Sequence, residues 1–201
     1  MKSSTGKKVR YLTVTAMLAA VAFVLQFLEF VVPFMPGFIK LDLSDLPALI
    51  GAFAMGPVCG VLIECVKNLL HMSVSTTGGI GEICNFFMGA CYVLPAGIIY
   101  KHHKTKKVAI EASFIGAISM AVLSFPINYF VVYPFYITVF FGGDTETCVK
   151  MYQAIVPSVN ELWQCLLFFN VPFTFVKGMV CVLITLLIYK RISPVLKGVR
   201  S

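Results

Sequence analysis

The sequence predicts an all-α integral membrane protein, a single membrane domain over 1–201 with six transmembrane helices, two of them short. Three observations predict it. The 201 residues are 59% hydrophobic and only 12% charged, whereas a soluble domain carries about 25% charge. The apolar residues come in runs matching the roughly 20 helical residues that cross a bilayer. The net charge of +7 is gathered at the ends of those runs. Lys2, Lys7, Lys8 and Arg10 form one cluster, Lys101, Lys104, Lys106 and Lys107 a second, and Lys190, Arg191, Lys197 and Arg200 a third. That is the distribution of a membrane protein whose basic residues stay on the cytoplasmic side, and it argues against a nucleic-acid partner.

The run at 11–32 is too long for the apolar core of a cleavable signal, and no small-residue cleavage site follows it. It reads as the first helix. Ala16 and Ala20 lie four apart on it, beside Ala19 and Ala22. Small residues at this spacing let another helix approach closely, either within this chain or from a partner.

The segment 44–72 decides the span count. As one helix it gives five spans and leaves at least one basic cluster outside. Broken at Gly56-Pro57 it gives two short helices, near 44–55 and 58–72, and places all three clusters inside. Six spans are therefore expected, with both termini cytoplasmic in the plasma membrane. Ser44 or Asp45 can cap the second helix, with Pro47 in its first turn. Helices near 80–100, 109–135 and 158–190 follow. Ser158 and Glu161 have capping-box spacing. A helix over 158–190 would run ~48 Å, so a kink at Pro172 is expected to leave 158–171 slanted or interfacial. The connections 33–45, 72–79 and 136–157 then face outward. They are polar and turn-rich, as a receptor surface would be.

Polar groups inside spans are costly and usually functional. Lys177 in VPFTFVKG lies too deep to reach either end of its span. It reads as a buried donor facing a cavity, or as the partner of a carboxylate on another helix. Asn128 in INYF offers a donor and an acceptor side by side, suited to a heterocycle edge or to an interhelical hydrogen bond. Tyr129, Tyr133 and Tyr136 read as an interfacial aromatic belt, although one of them could also stack on a ligand. Glu64, Lys67, Asn68 and His71 fall on one face of the third helix, where Glu64 and Lys67 can neutralise each other. Glu82 and Asn85 share a face at the start of the fourth helix.

Six cysteines (Cys59, Cys65, Cys84, Cys91, Cys165 and Cys181) lie in apolar runs and read as packing; Cys148 is placed in a polar loop. No CxxC pair, metalloprotease motif, nucleophile elbow or Walker A sequence occurs. The chain is not read as an enzyme, and energy for uphill transport would have to come from another chain.

Several segments carry a resemblance: FIKLDLSDLPALIGAFAMGPVCGVLIECVKNLLH, GEICNFFMG, INYF and VPFTFVKG. Together, and in this order, they resemble the riboflavin-specific S component of energy-coupling-factor (ECF) vitamin transporters. The resemblance implies six helices, an outward-facing site and riboflavin as transported ligand, with no catalytic cofactor. It implies as partners a transmembrane coupling protein (EcfT-type) and two ATPase subunits, with Ala16 and Ala20 against the coupling protein. Carried over residue by residue, it implies that Leu41 and Asp42, Asn128 and Lys177 hold the flavin. Where the family often has asparagine three positions before the lysine, this chain has Thr174.

Riboflavin has a flat aromatic body, a polar pyrimidine edge and a flexible polyol, and suits an apolar slot with a few convergent polar groups. The expectation is that Asn128 and Lys177 address the ring edge and that aromatic side chains, Tyr129 among the candidates, flank the ring. Asp42, Ser44 and Thr174 would meet the ribityl chain, with Glu82 and Asn85 completing the site. An S component for another vitamin, or a scaffold that transports nothing, would share the fold.

Overall fold

The computed structural model describes residues 4–33, 35–36, 39–75 and 77–197. Helix α1 (Ser4–Gln26) leads into an antiparallel hairpin of β1 (Phe30–Val31) and β2 (Lys40–Leu41), in which Phe30 pairs with Leu41. Two short helices follow, α2 (Asp45–Met55) and α3 (Pro57–His71), then a 3-10 turn over Met72–Val74 and α4 (Ile80–His102). Helix α5 (Lys106–Phe140) contains a π-turn at Asn128–Val132. A nine-residue helix, α6 (Thr145–Gln153), precedes α7 (162–197), which holds a second π-turn at Leu166–Asn170.

Among the described residues five helical stretches are long and apolar enough to cross a membrane: Gly6–Gln26, Pro57–Val74, Ile80–His102, Lys106–Phe140 and Leu162–Ile188. Asp45–Met55 is apolar but shorter. The break between α2 and α3 falls where expected. Gly56 adopts φ 107°, a backbone conformation open to glycine, and Pro57 takes the first helical position, where a missing N–H costs little.

The structure corrects several expected boundaries. Helix α1 stops at Gln26 rather than 32, because Pro33 favours extended backbone just before it and Phe30-Val31 are strand formers. Ser44 does not cap α2 with its side chain; its hydroxyl turns instead to Asp42 and Lys67. Helix α5 continues to Phe140 and ends before Gly142 and Gly143, both at positive φ. The connection expected over 136–157 is largely helical, and Cys148 is buried in it rather than lying in a polar loop. The last helix starts at Leu162, four residues late. The capping box there pairs Glu161 with Gln164, which supplies the reciprocal side chain that Ser158 and Glu161 were expected to provide.

Both π-turns end two residues before a proline, Pro134 and Pro172. A proline lacks an N–H and crowds the carbonyl four residues back. The wider turn relieves that crowding without breaking the helix.

Two buried cores organise the bundle. The larger packs α1 to α5 and α7 around Ala19, Ala48, Phe53, Ile63, Tyr92 and Met120. The smaller ties the distal part of α5 to α6 and the start of α7 through Val132, Tyr133, Tyr152, Leu166 and Phe169. Small residues set the helix spacing: a Cβ on Gly116 would fall 2.5 Å from the backbone oxygen of Tyr92, so α4 and α5 touch there backbone to backbone. Leu12, Met17, Val21, Phe130 and Leu187 project outward, as residues facing lipid do. Gly116→Ala is expected to lower stability by about 1–3 kcal/mol through overpacking. A lower midpoint for thermal unfolding in detergent, relative to Ser119→Ala in the same helix, checks it.

Candidate functional site

At the end where α1 and α3 finish and α4 begins, the helices part around a cavity of about 320 Å³. It lies where the two cores meet, with Met88 and Met120 on one side and Val132 and Tyr133 on the other. That size is at the lower end of the range for small-molecule pockets.

The polar groups arrive from seven places in the chain, the 72–79 connection among them with Thr77, and the hairpin region also brings Glu29 and Lys40. The hairpin exit supplies Asp42. Helix α1 brings Gln26 and α3 brings His71. Helix α4 supplies Glu82 and Asn85 from its first turns, α5 supplies Asn128 at its π-turn, and α7 supplies Asn170, Thr174 and Lys177. Of the residues singled out in the sequence, Asp42, Glu82, Asn85, Asn128, Thr174 and Lys177 therefore share one wall system. Leu41, Ser44 and Tyr129 do not line the cavity. Leu41 is paired in the hairpin, Ser44 lies fully buried behind Asp42, and Tyr129 stacks on Phe125 with ring centroids 5.8 Å apart.

The floor is ionic. Lys177 Nζ lies 2.9 Å from Asp42 Oδ2 and 3.1 Å from Asp45 Oδ2. This lysine both lines the cavity and pairs with carboxylates. Beneath it Lys67 Nζ, with no exposed surface, lies 2.7 Å from Asp45 Oδ1 and 2.8 Å from Glu64 Oε2, and donates to Ser44 Oγ at 2.6 Å. The Glu64 contact is an ion pair without hydrogen-bond alignment. Asp42 also accepts from the Ser44 backbone N–H at 2.8 Å. Burial works against the charge of Asp42, but Lys177 and Lys67 beside it and the Ser44 hydroxyl hold its carboxyl well below the usual range.

Above the floor, Glu82 gathers the 72–79 connection. His71 Nδ1 lies 2.9 Å from Oε1, and the Ser75 hydroxyl donates to Oε2 at 2.7 Å. Asn128 donates to the Ser124 carbonyl at 2.8 Å. Asn85 Oδ1 and Gln26 Oε1 are buried with no hydrogen-bond partner among the described residues, acceptors available to a ligand's donors. At the far wall Tyr133 and Tyr152 share a short hydrogen bond. The Tyr152 hydroxyl donates to Asn170 Oδ1 at 2.9 Å, and Asn170 Nδ2 donates to Tyr133 Oη at 2.8 Å. This closed ring ties both π-turned helices to α6.

Gln26, Glu29, Lys40, His71, Thr77 and Asn170 also line the cavity without having been expected there, as do Tyr133 and Tyr136, expected mainly as an interfacial belt. Asn170 and Gln26 carried the signal already used for Asn128, a carboxamide within an apolar run. Tyr133 and Tyr136 read as an interfacial belt because the sequence does not show which side of α5 faces the bundle. Ala16 and Ala20 lie on the exposed face of α1, opposite Ala19 and Ala22, which are buried.

A family model described as ECF transporter, substrate-specific component, matches residues 10–189. The chain belongs to this family of ECF substrate-specific components. Its relatives include the riboflavin transporter RibU of Staphylococcus aureus (strain TCH60), 35% identical over 190 residues that cover 94% of this chain and 93% of that one. The riboflavin transporter FmnP of Bacillus subtilis (strain 168) is 29% identical over 197 residues, covering 96% and 97%. A solved S component of a bacterial ECF transporter superposes with TM-score 0.72 at 33% identity, covering 94% of this chain and 99% of the other. The family is one of transporter components, in keeping with a site built to bind rather than to react. The ECF S-component fold thus extends over nearly the whole chain.

Tyr152→Phe removes one hydroxyl from the ring that docks α6. Faster hydrogen–deuterium exchange over 145–153, with the exchange of α4 unchanged, is the expected outcome.

Proposed function

We propose that this S component captures riboflavin at the outer face of the plasma membrane and hands it to an ECF complex for import. The observation that carries the reading is the cavity itself. It combines apolar and aromatic walls (Met88, Met120, Tyr136, Phe173) with polar groups converging from several helices, Lys177 at their base. A flat, amphipathic heterocycle with a polyol tail is complementary to that mixture. The relatives named as riboflavin transporters support the choice of vitamin.

In this reading Lys177 and Asn128 address the polar edge of the ring. Asp42 and Thr174 meet the ribityl hydroxyls, and Asn85 and Glu82 complete the polar wall. Thr174, with one hydroxyl, replaces at most part of what an asparagine amide would offer. Leu41 and Ser44 act from behind the wall, Leu41 by holding the hairpin and Ser44 by holding Asp42. Tyr129 supports Phe125 and comes to the ligand only if the outer turn of α5 shifts.

Six spans, with α2 crossing as a short segment shielded by protein, put every basic cluster on the cytoplasmic side together with both termini. The cavity then opens outward. The exposed Ala16–Ala20 face of α1 is a surface on which a helix of an EcfT-type coupling protein can pack closely, and two ATPase subunits would supply the energy.

Titrating the detergent-purified protein with riboflavin and following flavin fluorescence tests the reading: saturable one-to-one quenching is expected, and none in folded protein overturns it. Lys177→Met is expected to weaken binding about tenfold or more, as loss of a charge-assisted hydrogen bond implies. Ala16→Leu with Ala20→Leu should leave riboflavin binding intact while abolishing uptake by cells and co-purification with the coupling protein.

A further inference from the structure

Asp45 and Lys67 do not line the cavity, yet Asp45 lies 3.1 Å from the Lys177 ammonium and 2.7 Å from that of Lys67. The lysine projects from α7 among apolar residues, and its ammonium is held by two carboxylates of different standing. Asp42 lies on the cavity wall at the end of the hairpin, where a ligand can compete with it. Asp45 lies on α2 behind the wall, with a side chain only 2% exposed, where a ligand does not reach.

The two oxygens of Asp45 are divided between the two lysines, Oδ1 to Lys67 and Oδ2 to Lys177. A carboxylate gripped at both oxygens cannot rotate. Lys67 is itself fixed, by Glu64 one turn earlier in α3 and by the Ser44 hydroxyl. A chain of contacts therefore runs from α3 through α2 to the cavity floor. An ammonium has three N–H donors. When a ligand acceptor replaces Asp42 or takes the remaining donor, Asp45 still holds Lys177 pointed at the cavity.

We propose that Asp45 and Lys67 are positioning residues for riboflavin binding, acting on the ligand only through Lys177. This rests on the functional reading above, in which Lys177 contacts the flavin.

A double-mutant cycle tests it, because residues that act through one another give non-additive losses whereas independent ones add. Riboflavin affinity is measured by fluorescence quenching for the wild type, Asp45→Asn, Lys177→Met and the double variant. The expected result is a loss of about tenfold for Asp45→Asn, a loss at least as large for Lys177→Met, and a double variant no weaker than Lys177→Met alone. Should Asp45→Asn fail to give monodisperse protein, Asp45→Asn combined with Lys67→Met removes one charge of each sign. That pair enters the same cycle. A general structural role would lower affinity in both backgrounds alike, so losses that add overturn the proposal, as does full affinity in Asp45→Asn. Wild-type protein that binds no riboflavin overturns the functional reading and this inference with it. Wild-type binding with additive losses overturns this inference alone.

Discussion

Two lysine ammonium groups and three carboxylates, drawn together inside an apolar bundle, form the interaction on which the rest of the structure depends. Each ion costs several kcal/mol to remove from water, and the cost is offset only when every charge has close, well-placed partners. Lys67 and Lys177 come from α3 and α7, Asp45 and Glu64 from α2 and α3, and Asp42 from the end of the hairpin. Bringing them within ion-pair distance of one another fixes how those elements meet. Removing one partner would leave an uncompensated buried charge, the arrangement such interiors tolerate least. The cluster is therefore both the floor of the cavity and the tie that closes the hairpin over it.

The helices can converge on that floor because their contacts are lined with small residues. The Glu64 carboxylate lies against Gly89 of α4, at a distance where any side chain there would displace it, and Gly178 of α7 meets Ala117 of α5. In a membrane, where lipid is as apolar as leucine, association relies on such close packing and on polar ties. The same bundle shows both. Small residues bring the backbones together at the middle, and carboxamides, hydroxyls and ions fill the cavity end.

The cavity also depends on local departures from regular helix. Both π-turns lie beside it and both precede a proline. Each places a carboxamide, Asn128 or Asn170, in the cavity wall. Such wide turns recur at functional sites because they turn a side chain away from the direction a regular helix would impose. The ring of Tyr133, Tyr152 and Asn170 then makes α6 part of the same wall, although α6 itself is exposed and polar on much of its surface.

Composition, run length and charge placement were enough for a helical membrane protein, and Gly56-Pro57 was enough for the break between its two short helices. Lys177, deep in its span, and Asn128, near the outer end of its own, stood out because a polar group in an apolar run is costly wherever it lies, although the sequence left open whether each faces a cavity or a neighbouring helix. Where α1 stops was not legible, since Phe30-Val31-Val32 reads equally well as the end of a helix; the strand it pairs with, Lys40–Leu41, lies beyond the next turn. Nor was Tyr133 or Tyr136, whose side of the helix depends on a π-turn that hydropathy does not register. The local sequence suggested a pairing of Lys67 with Glu64, three residues apart, and the structure contains it. That Asp45 would join Lys67 to Lys177 was decided only by the tertiary structure. Lys177 lies more than a hundred positions from Asp45 and Lys67 in the sequence, and residues of three helices must meet for those charges to be paired, so no local spacing encodes that meeting.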